Sequence, residues 1–214
     1  MDGNHNHRGR VIIVSGFAGS GKTVVLDELV KLADYKISVS ATTRNPRIGE
    51  VHGVKYYFMT KAELDKRTAD GEWLEYAEFS GNWYATPLKP VEETIESGRD
   101  IILEIEVQGA SNVRKKYPDA LTIFIAPPSY KELRQRLGDR GTETEEELEK
   151  RLKTSKEEIN HIYRYDYYVI NETGKQAETT EMIHAIISGG DSEIVDKCKV
   201  EKEKIDSFIA KYFE

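Results

Sequence analysis

Residues 10–33 read RVIIVSGFAGSGKTVVLDELVKLA, which is an apolar segment of strand length, then a glycine-rich loop, then apolar residues at helical spacing. The loop, residues 16–23, fits the phosphate-binding pattern G-x-x-x-x-G-K-T. Glycines let successive backbone N–H groups turn inward around phosphate oxygens, and the following helix adds its positive dipole end. Lys22 would supply a mobile positive charge, and Thr23 a hydroxyl ligand for Mg2+, which prefers oxygen donors. We therefore expect a nucleoside triphosphate to bind at this loop.

The bulk composition is typical of a globular domain. The chain has 214 residues and a formal net charge of −7, with 38% hydrophobic and 32% charged residues. A net negative charge argues against a nucleic-acid partner, whereas a few convergent arginines can still hold a nucleotide. The single cysteine, Cys198, excludes an intramolecular disulfide and a multi-cysteine metal site. No apolar run is long enough to span a bilayer, and residues 1–9 lack an apolar signal core, so we predict a cytoplasmic protein without a membrane partner.

Strand and helix patterns alternate along the chain, which predicts an α/β sheet with right-handed crossovers. A strand is expected at residues 37–40, where apolar and polar residues alternate, and a hairpin at residues 72–87. The buried strand that starts at residue 101 carries Glu104 and Glu106. Because residues two apart on a strand face the same way, both carboxylates are expected to line one cleft.

Two groups of arginines are candidates for binding phosphate. Arg44 and Arg47 flank Asn45-Pro46 in a turn, which suits a bidentate grip on a phosphate. The stretch of residues 136–155 carries further arginines, is highly charged and has few core residues, so we expect a mobile segment that closes over phosphates.

These motifs, in this order, resemble the guanylate kinase family over about residues 10–188. Besides the phosphate loop, the resemblance rests on SVSATTRNPRIGEVHGVKYYF, EWLEYAEFSGNWYAT, EIEVQG, IAPPS and RLGDRGTETEEEL. It implies the α/β P-loop nucleoside monophosphate kinase fold: a parallel five-stranded core with helices on both faces, a mixed-β GMP-binding subdomain and a helical lid. The subdomain would take about residues 36–95, and the lid about residues 136–155. The domain would span residues 10–190, after a flexible tail of residues 1–9 and before a helical extension of residues 191–214.

The resemblance also implies an activity and a set of site residues. The protein would transfer the γ-phosphoryl group of Mg-ATP to GMP, with dGMP as a second acceptor, giving ADP and GDP. ATP would be bound by Gly16, Phe17, Ala18, Gly19, Ser20, Gly21, Lys22, Thr23, Arg136, Arg140 and Asn171. GMP would be bound by Ser40, Arg44, Arg47, Tyr56, Glu75, Tyr84, Thr86, Glu106 and Arg151. Catalysis would rest on Lys22, Arg44, Arg136, Arg140 and Arg151, and Mg2+ on Thr23 and, through water, Glu104.

The chemistry of guanine agrees with this assignment. Guanine presents N1–H beside an exocyclic amino group, and the carboxylate of Glu75 would accept both hydrogen bonds. Adenine has an unprotonated N1, so the same carboxylate would face a lone pair, and AMP would be rejected. Hydroxyl groups such as those of Ser40 and Thr86 can donate to guanine O6.

Some features depart from the family pattern or leave alternatives open. This chain has Phe17 and Ala18 where the family usually has proline and serine. It has Glu106 where the family usually has aspartate, and Ala85 where it usually has glycine. Another acceptor on the same scaffold, or a non-catalytic interaction module, are the competing interpretations; the intact phosphate loop speaks against the second.

The extension, residues 191–214, is expected to be one amphipathic helix. The protein could be a monomer or a homodimer.

Overall fold

The computed structural model describes residues 8–139 and 144–214. Its strands are β1 (Val11–Gly16), β2 (Lys36–Ile37), β3 (Ser40–Thr42), β4 (Tyr56–Phe58), β5 (Trp73–Phe79), β6 (Asn82–Pro87), β7 (Ile101–Glu104), β8 (Leu121–Ala126) and β9 (Tyr167–Ile170). Its α-helices are α1 (Lys22–Leu32), α2 (Lys61–Ala69), α3 (Leu88–Glu96), α4 (Val107–Lys116), α5 (Tyr130–Gly138), α6 (Glu145–Glu158), α7 (Gln176–Ser188), α8 (Ser192–Cys198) and α9 (Lys202–Tyr212), with a 3₁₀ helix at Ile159–Arg164.

The strands form two sheets. The larger is a five-stranded parallel sheet in the order β2-β7-β1-β8-β9, and the smaller has the order β4-β3-β6-β5. In the smaller sheet β3 pairs with β4 in parallel and with β6 antiparallel, and β5 and β6 form the predicted antiparallel hairpin. The predicted α/β class, the five-stranded parallel core and the mixed-β sheet are confirmed.

The chain divides into two compact units, each made of two chain segments. One comprises Asp34–Ala120 and the described residues of Met1–Ile13, and it contains the whole mixed sheet; we call it the mixed-sheet unit. The other comprises Val14–Ala33 and Leu121–Glu214, and we call it the phosphate-loop unit.

A small core holds the mixed sheet together. The buried side chains of Ala41, Leu64 and Ala85 pack against partly buried aromatic residues and Met59. The small side chains on facing strands β3 and β6 leave room for these rings. Helix α2, which supplies Leu64, begins at a capping box of Thr60 and Glu63.

The core of the phosphate-loop unit is built on α1 and β8. Val25, Leu26 and Leu29 on α1 are fully buried, as their helical spacing predicts. All but the first residue of β8 are buried as well, which fits a strand inside a parallel sheet. Within the described residues, none of the helices is long and apolar enough to cross a membrane.

Two predicted strands end earlier than expected. The strand predicted at residues 37–40 is two strands, β2 and β3, in different sheets. The N–H of Ser38 still donates to the carbonyl oxygen of Ile102 at 2.9 Å, and the chain then leaves to pair Ser40 with Tyr56. Likewise β7 stops at Glu104, and Glu106 is the N-cap of α4. The expectation that Glu104 and Glu106 share one face of a strand is therefore wrong.

The prediction of a single helix in the C-terminal extension is also wrong. The extension is not one helix but two, α8 and α9. The connection between them is held extended, because the N–H of Val200 donates to the carbonyl oxygen of Asp166 at 3.0 Å. The stretch of residues 136–155 has few core residues among those described, as expected, and Leu137, Leu148 and Leu152 are buried. Its closure over phosphates stays a prediction.

Candidate active site

The phosphate loop joins the end of β1 to the start of α1, as predicted. Gly21 is the N-cap of α1 and has a φ of 87°, a left-handed conformation that favours glycine. A Cβ atom at Gly21 would lie 2.4 Å from Nδ2 of Asn171, and one at Gly16 would lie 2.0 Å from the carbonyl oxygen of Ile125. Both positions therefore require glycine, because neighbouring atoms occupy the space of a side chain.

Lys22 lies against the loop rather than reaching away from it. Its side chain is buried, with 7% of the residue exposed. Its ammonium group donates to the carbonyl oxygen of Gly16 and, at 3.3 Å, to that of Phe17. In this conformation the ammonium group of Lys22, which we expected to be a mobile charge, is bound to carbonyl oxygens of the loop. Thr23, the next residue, is exposed.

Asn171 and Arg136 both bind the phosphate loop at Ser20. Asn171 is 1% exposed, and its Nδ2 donates to the carbonyl oxygen of Ser20 at 2.8 Å. Nη1 of Arg136 donates to the same oxygen at 3.4 Å, and its Nη2 donates to the carbonyl oxygen of Asn171 at 2.7 Å. Both side chains stabilise the loop from outside. The contact of Asn171 with adenine stays a prediction.

Glu132 holds Arg136 in place, a role that the sequence analysis missed. Its Oε1 accepts from Nη2 of Arg136 at 2.5 Å and from the hydroxyl of Thr173 at 2.6 Å. Burial alone would raise the pKa of Glu132, but the hydrogen bonds from Thr173 and Arg136 lower it below its usual value. The spacing of Glu132 and Arg136, four residues apart on a helix, was the available signal.

Glu75 and Thr86 form the centre of the candidate guanine site on the hairpin. They lie opposite each other on β5 and β6, and the hydroxyl of Thr86 donates to Oε1 of Glu75 at 3.0 Å. Oε2 of Glu75 is buried and has no hydrogen-bond partner among the residues described. Burial raises the pKa of Glu75 to about 7, although the bond from Thr86 opposes the shift. A buried acceptor is therefore available for a ligand.

Gly109 borders the same carboxylate, and Ser40 lies at the same end of the mixed sheet. Ala41 pairs with Ala85, so the register places Ser40 beside Thr86 at the same end of the sheet. Ser40 is buried. On α4, a Cβ atom at Gly109 would lie 2.9 Å from Oε2 of Glu75. Gly109 thus leaves the space that this oxygen occupies, and the sequence analysis did not identify it as a site residue.

Arg44 is held by Glu50, another residue that the sequence analysis missed. Nη1 and Nη2 of Arg44 each donate to a carboxylate oxygen of Glu50 at 2.9 Å, and the backbone N–H of Arg47 donates to Glu50 at 2.6 Å. Burial alone would raise the pKa of Glu50, but these hydrogen bonds lower it. Glu50 therefore occupies the bidentate geometry of Arg44 that a phosphate would use.

Tyr56 lies close to four other residues that were predicted to contact GMP or Mg2+. The guanidinium of Arg44 lies 5.3 Å from the centre of its ring, and the ring of Tyr84 lies 6.2 Å away. The pKa of Tyr56 is raised, first by burial and then by the negative charges of Glu104 and Glu106. The structure thus brings these five predicted site residues together in the mixed-sheet unit, even though Glu106 lies on a helix.

Of the remaining predicted arginines, the structure describes two and leaves one undescribed. Arg47 is exposed, and Arg151 lies half-buried on α6 in the phosphate-loop unit. Arg140 lies outside the described residues, as do residues 1–7 of the predicted tail.

Within residues 8–139 and 144–214, no group of three or more His, Cys, Asp or Glu side chains could hold a metal ion. Thr23, an exposed residue next to Lys22, carries a hydroxyl oxygen, the kind of hard donor that Mg2+ prefers, and so fits the predicted metal ligand.

Three comparisons agree on one family. The family model for guanylate kinase matches residues 8–188. The chain is 47% identical over 196 residues to the guanylate kinase of Shouchella clausii, covering 91% of this chain and 92% of that relative. It is 43% identical over 210 residues to the guanylate kinase of Clostridium acetobutylicum, covering 97% of both. The crystal structure of guanylate kinase from Anaplasma phagocytophilum matches with a TM-score of 0.72 and 32% identity, over 86% of this chain and 87% of that chain.

Proposed function

The chain belongs to the guanylate kinase family, and we propose that it transfers the γ-phosphoryl group of ATP to GMP, giving ADP and GDP. The observation that carries the proposal is the buried carboxyl group of Glu75, whose Oε2 lacks a hydrogen-bond partner among the described residues. A buried acceptor without a donor is costly, so a ligand with matching donors gains free energy there. Guanine supplies two such donors side by side.

The remaining acceptor residues fit the other groups of GMP. The hydroxyl of Thr86, which donates to Glu75 in this structure, and that of the buried Ser40 would donate to guanine O6. Arg44 would exchange the carboxylate of Glu50 for the phosphate of GMP, which has the same bidentate acceptor geometry. Arg47 and Tyr56 would complete the phosphate contacts.

The phosphate-loop unit would bind ATP, the donor of the phosphoryl group. The phosphate oxygens of ATP would replace the carbonyl oxygens of Gly16 and Phe17 as acceptors for the ammonium group of Lys22. Arg136 and Asn171 keep the loop in place through Ser20. Arg140 and Arg151 would add positive charge over the transferring group. Phosphoryl transfer depends mainly on positioning and charge neutralisation, so no nucleophilic side chain is needed.

We propose Mg2+ as the cofactor that accompanies ATP. When bound, it neutralises negative charge on the β- and γ-phosphates. Thr23 would contribute a hydroxyl ligand, and Glu104 would act through water. A cytoplasmic location and a monomeric or homodimeric state also stay predictions, which cell fractionation and analytical ultracentrifugation would test.

The direct test is ADP production from Mg-ATP with GMP, dGMP, AMP, CMP, UMP and dTMP offered separately. We expect rapid turnover with GMP, turnover with dGMP and little with AMP. Turnover with none of them in a folded protein that binds ATP would overturn the proposal and favour another acceptor. Failure to bind ATP as well would favour an interaction module.

A substitution locates the specificity at Glu75. Glu75→Gln places an amide donor opposite a guanine donor, so we expect KM for GMP to rise by roughly 10²-fold with little change in KM for ATP. Glu78→Gln is the matched control, because Glu78 lies on the same strand but is exposed. Equal effects of the two substitutions would contradict the assignment of Glu75.

A further inference from the structure

The C-terminal extension contacts the phosphate loop through aromatic rings. Phe17, a loop residue, is fully buried, and its ring lies edge-on against Phe124 with ring centres 5.1 Å apart. The ring of Tyr212, the last residue of α9, lies on it as well, at 5.6 Å. All three residues belong to the phosphate-loop unit. A residue of the extension thus forms part of the packing around the loop.

Phe17 also contacts the residues proposed to bind phosphate. Its carbonyl oxygen accepts from the backbone N–H of Ser20 at 3.0 Å and from the ammonium group of Lys22 at 3.3 Å. A shift of the ring would therefore move an acceptor of Lys22 and a hydrogen bond that shapes the loop. The side chain and the main chain of Phe17 link Tyr212 to Lys22.

Tyr212 is itself firmly placed. It is 1% exposed, and its ring lies 5.3 Å from that of Phe208 on the same helix and 6.5 Å from that of Tyr130 on α5. Helix α9 is fixed by the fully buried Ile205 and by a 2.5 Å hydrogen bond from the hydroxyl of Tyr163 to Asp206. A ring fixed on this side can resist movement of Phe17.

The ring of Tyr212, rather than its hydroxyl, makes the contact. Among the residues described, its hydroxyl oxygen has no hydrogen-bond partner. Burial is the main cause of the raised pKa of this hydroxyl, so it stays neutral at ordinary pH. A phenylalanine at this position would keep the ring packing and remove an unsatisfied polar atom.

We propose that Tyr212 is a positioning residue for the ATP site. Its ring holds Phe17, and Phe17 in turn keeps the phosphate loop and Lys22 in the conformation that receives the triphosphate. The inference rests on the proposed function, in that it takes ATP as the ligand of the loop. Loss of the ring should weaken ATP binding without a matching loss at the acceptor site.

The test compares substitutions at Tyr212 with a control on the same helix. Dissociation constants for Mg-ATP come from calorimetry, KM values for ATP and GMP from turnover, and the free energy of unfolding from urea titration. We expect Tyr212→Leu to weaken ATP binding about 5- to 10-fold, the size of effect that an aromatic contact allows, and to change KM for GMP less than 2-fold. Tyr212→Phe should restore wild-type ATP binding. If Tyr212→Leu does not fold, Tyr212→Met, a flexible apolar replacement, takes its place.

The control separates positioning from general stability. Ile205→Ala removes a fully buried side chain of α9 that takes no part in the ring contacts, so it should lower the free energy of unfolding and leave ATP binding within 2-fold. A double-mutant cycle adds Phe17→Leu, and we expect Tyr212→Leu to have little further effect in that background. Equal weakening of ATP binding by Ile205→Ala and Tyr212→Leu, or additive effects in the cycle, would overturn the proposal.

The same measurements distinguish failure of this inference from failure of the proposed function. If the wild-type protein binds ATP but does not phosphorylate GMP, the function is wrong, and the ATP dissociation constants of the variants still decide the role of Tyr212. If the wild-type protein does not bind ATP, both are wrong.

Discussion

The carboxyl group of Glu75 is the residue on which acceptor recognition depends, and its pKa is raised to about 7 by burial. Only the ionised form accepts both guanine donors, so the fraction able to bind GMP falls as the pH falls through 7. We expect kcat/KM for GMP to fall roughly 10-fold between pH 8 and pH 6. Glu75→Gln, which does not titrate, should show a much flatter profile over this range. A wild-type profile as flat as that of the variant would contradict the raised pKa.

The same pKa also makes a prediction about stability. Because the folded-state pKa of Glu75 lies above the unfolded value of 4.5, the folded state binds the proton more tightly. The stabilising contribution is complete below pH 4.5 and is lost as the pH rises through about 7. Glu75→Gln keeps an acceptor for Thr86 and avoids burying a charge. Its free energy of unfolding should therefore exceed that of the wild type at pH 8, by at most about 3 kcal/mol, and approach it near pH 5. Urea titrations at the two pH values measure this difference, and a pH-independent difference would contradict the prediction.

Gly109 should affect specificity because it has no side chain, which leaves room for the carboxyl group of Glu75. A Cβ atom there would lie 2.9 Å from Oε2 of Glu75 and 3.1 Å from its Cδ, so Gly109→Ala should displace the carboxyl group. We expect KM for GMP to rise about 10-fold, the cost of one misplaced polar contact, while KM for ATP stays unchanged. Alanine favours the helix, so α4 should not be weakened. Ser111→Ala on the same helix is the control, and a similar rise in KM there would point to α4 as a whole.

At the scale of elements, the strand–loop–helix unit around Lys22 makes the clearest prediction. Lys22→Ala removes a charge preorganised at the start of α1, and we expect kcat to fall by roughly 10²-fold or more with the fold retained. Lys31→Ala is the control, because Lys31 lies on the same helix but is exposed and pairs with Glu28. Near-normal turnover of the Lys22 variant, with a circular dichroism spectrum like that of the wild type, would exclude the role proposed for Lys22.

Elements with a strong local pattern could be predicted from the sequence, and those that depend on distant pairing could not. The glycine loop between β1 and α1, the β5–β6 hairpin and the capping box of α2 each follow from neighbouring residues. The break between β2 and β3 does not, because it depends on pairing with two different sheets. The position of Glu106 at the start of α4 depends on where β7 ends, and the local sequence does not mark that end. We therefore expected Glu106 on the strand.

The candidate site shows the same division. The motif residues were predicted from the resemblance, whereas most of the residues that hold them were not. Asn171 and Ser20 are 151 positions apart in the sequence, and no local pattern predicts the hydrogen bond between them. The Arg44–Glu50 pair forms because the turn folds back on itself. Only the four-residue spacing of Glu132 and Arg136 gave a local signal.

At the scale of the whole molecule, the proposed substrate contacts are divided between the two units. The described residues proposed for ATP belong to the phosphate-loop unit, and those proposed for GMP, apart from Arg151, belong to the mixed-sheet unit. The residues proposed for ATP come from both segments of the phosphate-loop unit, whereas those proposed for GMP, apart from Arg151, all come from the segment Asp34–Ala120. Substitutions within one unit should therefore change mainly the KM of one substrate, and the shared effect of catalytic arginines should appear in kcat.

The C-terminal extension is a structural part of the phosphate-loop unit, because Cys198, Ile205 and Tyr212 are all buried. Truncation after Gly190 removes these side chains, so the midpoint of thermal unfolding should fall, and ATP binding should weaken more than GMP binding. Removing Glu214 alone keeps Tyr212 and Phe213, whose rings lie 5.2 Å apart, and is the matched control, for which both effects should be small. Differential scanning calorimetry and nucleotide titrations measure the two effects. A truncated protein that binds ATP and GMP as the full chain does would show that the extension contributes packing without positioning the loop. One that keeps its stability and binds ATP normally, yet does not transfer phosphate, would place the extension in the transfer step itself.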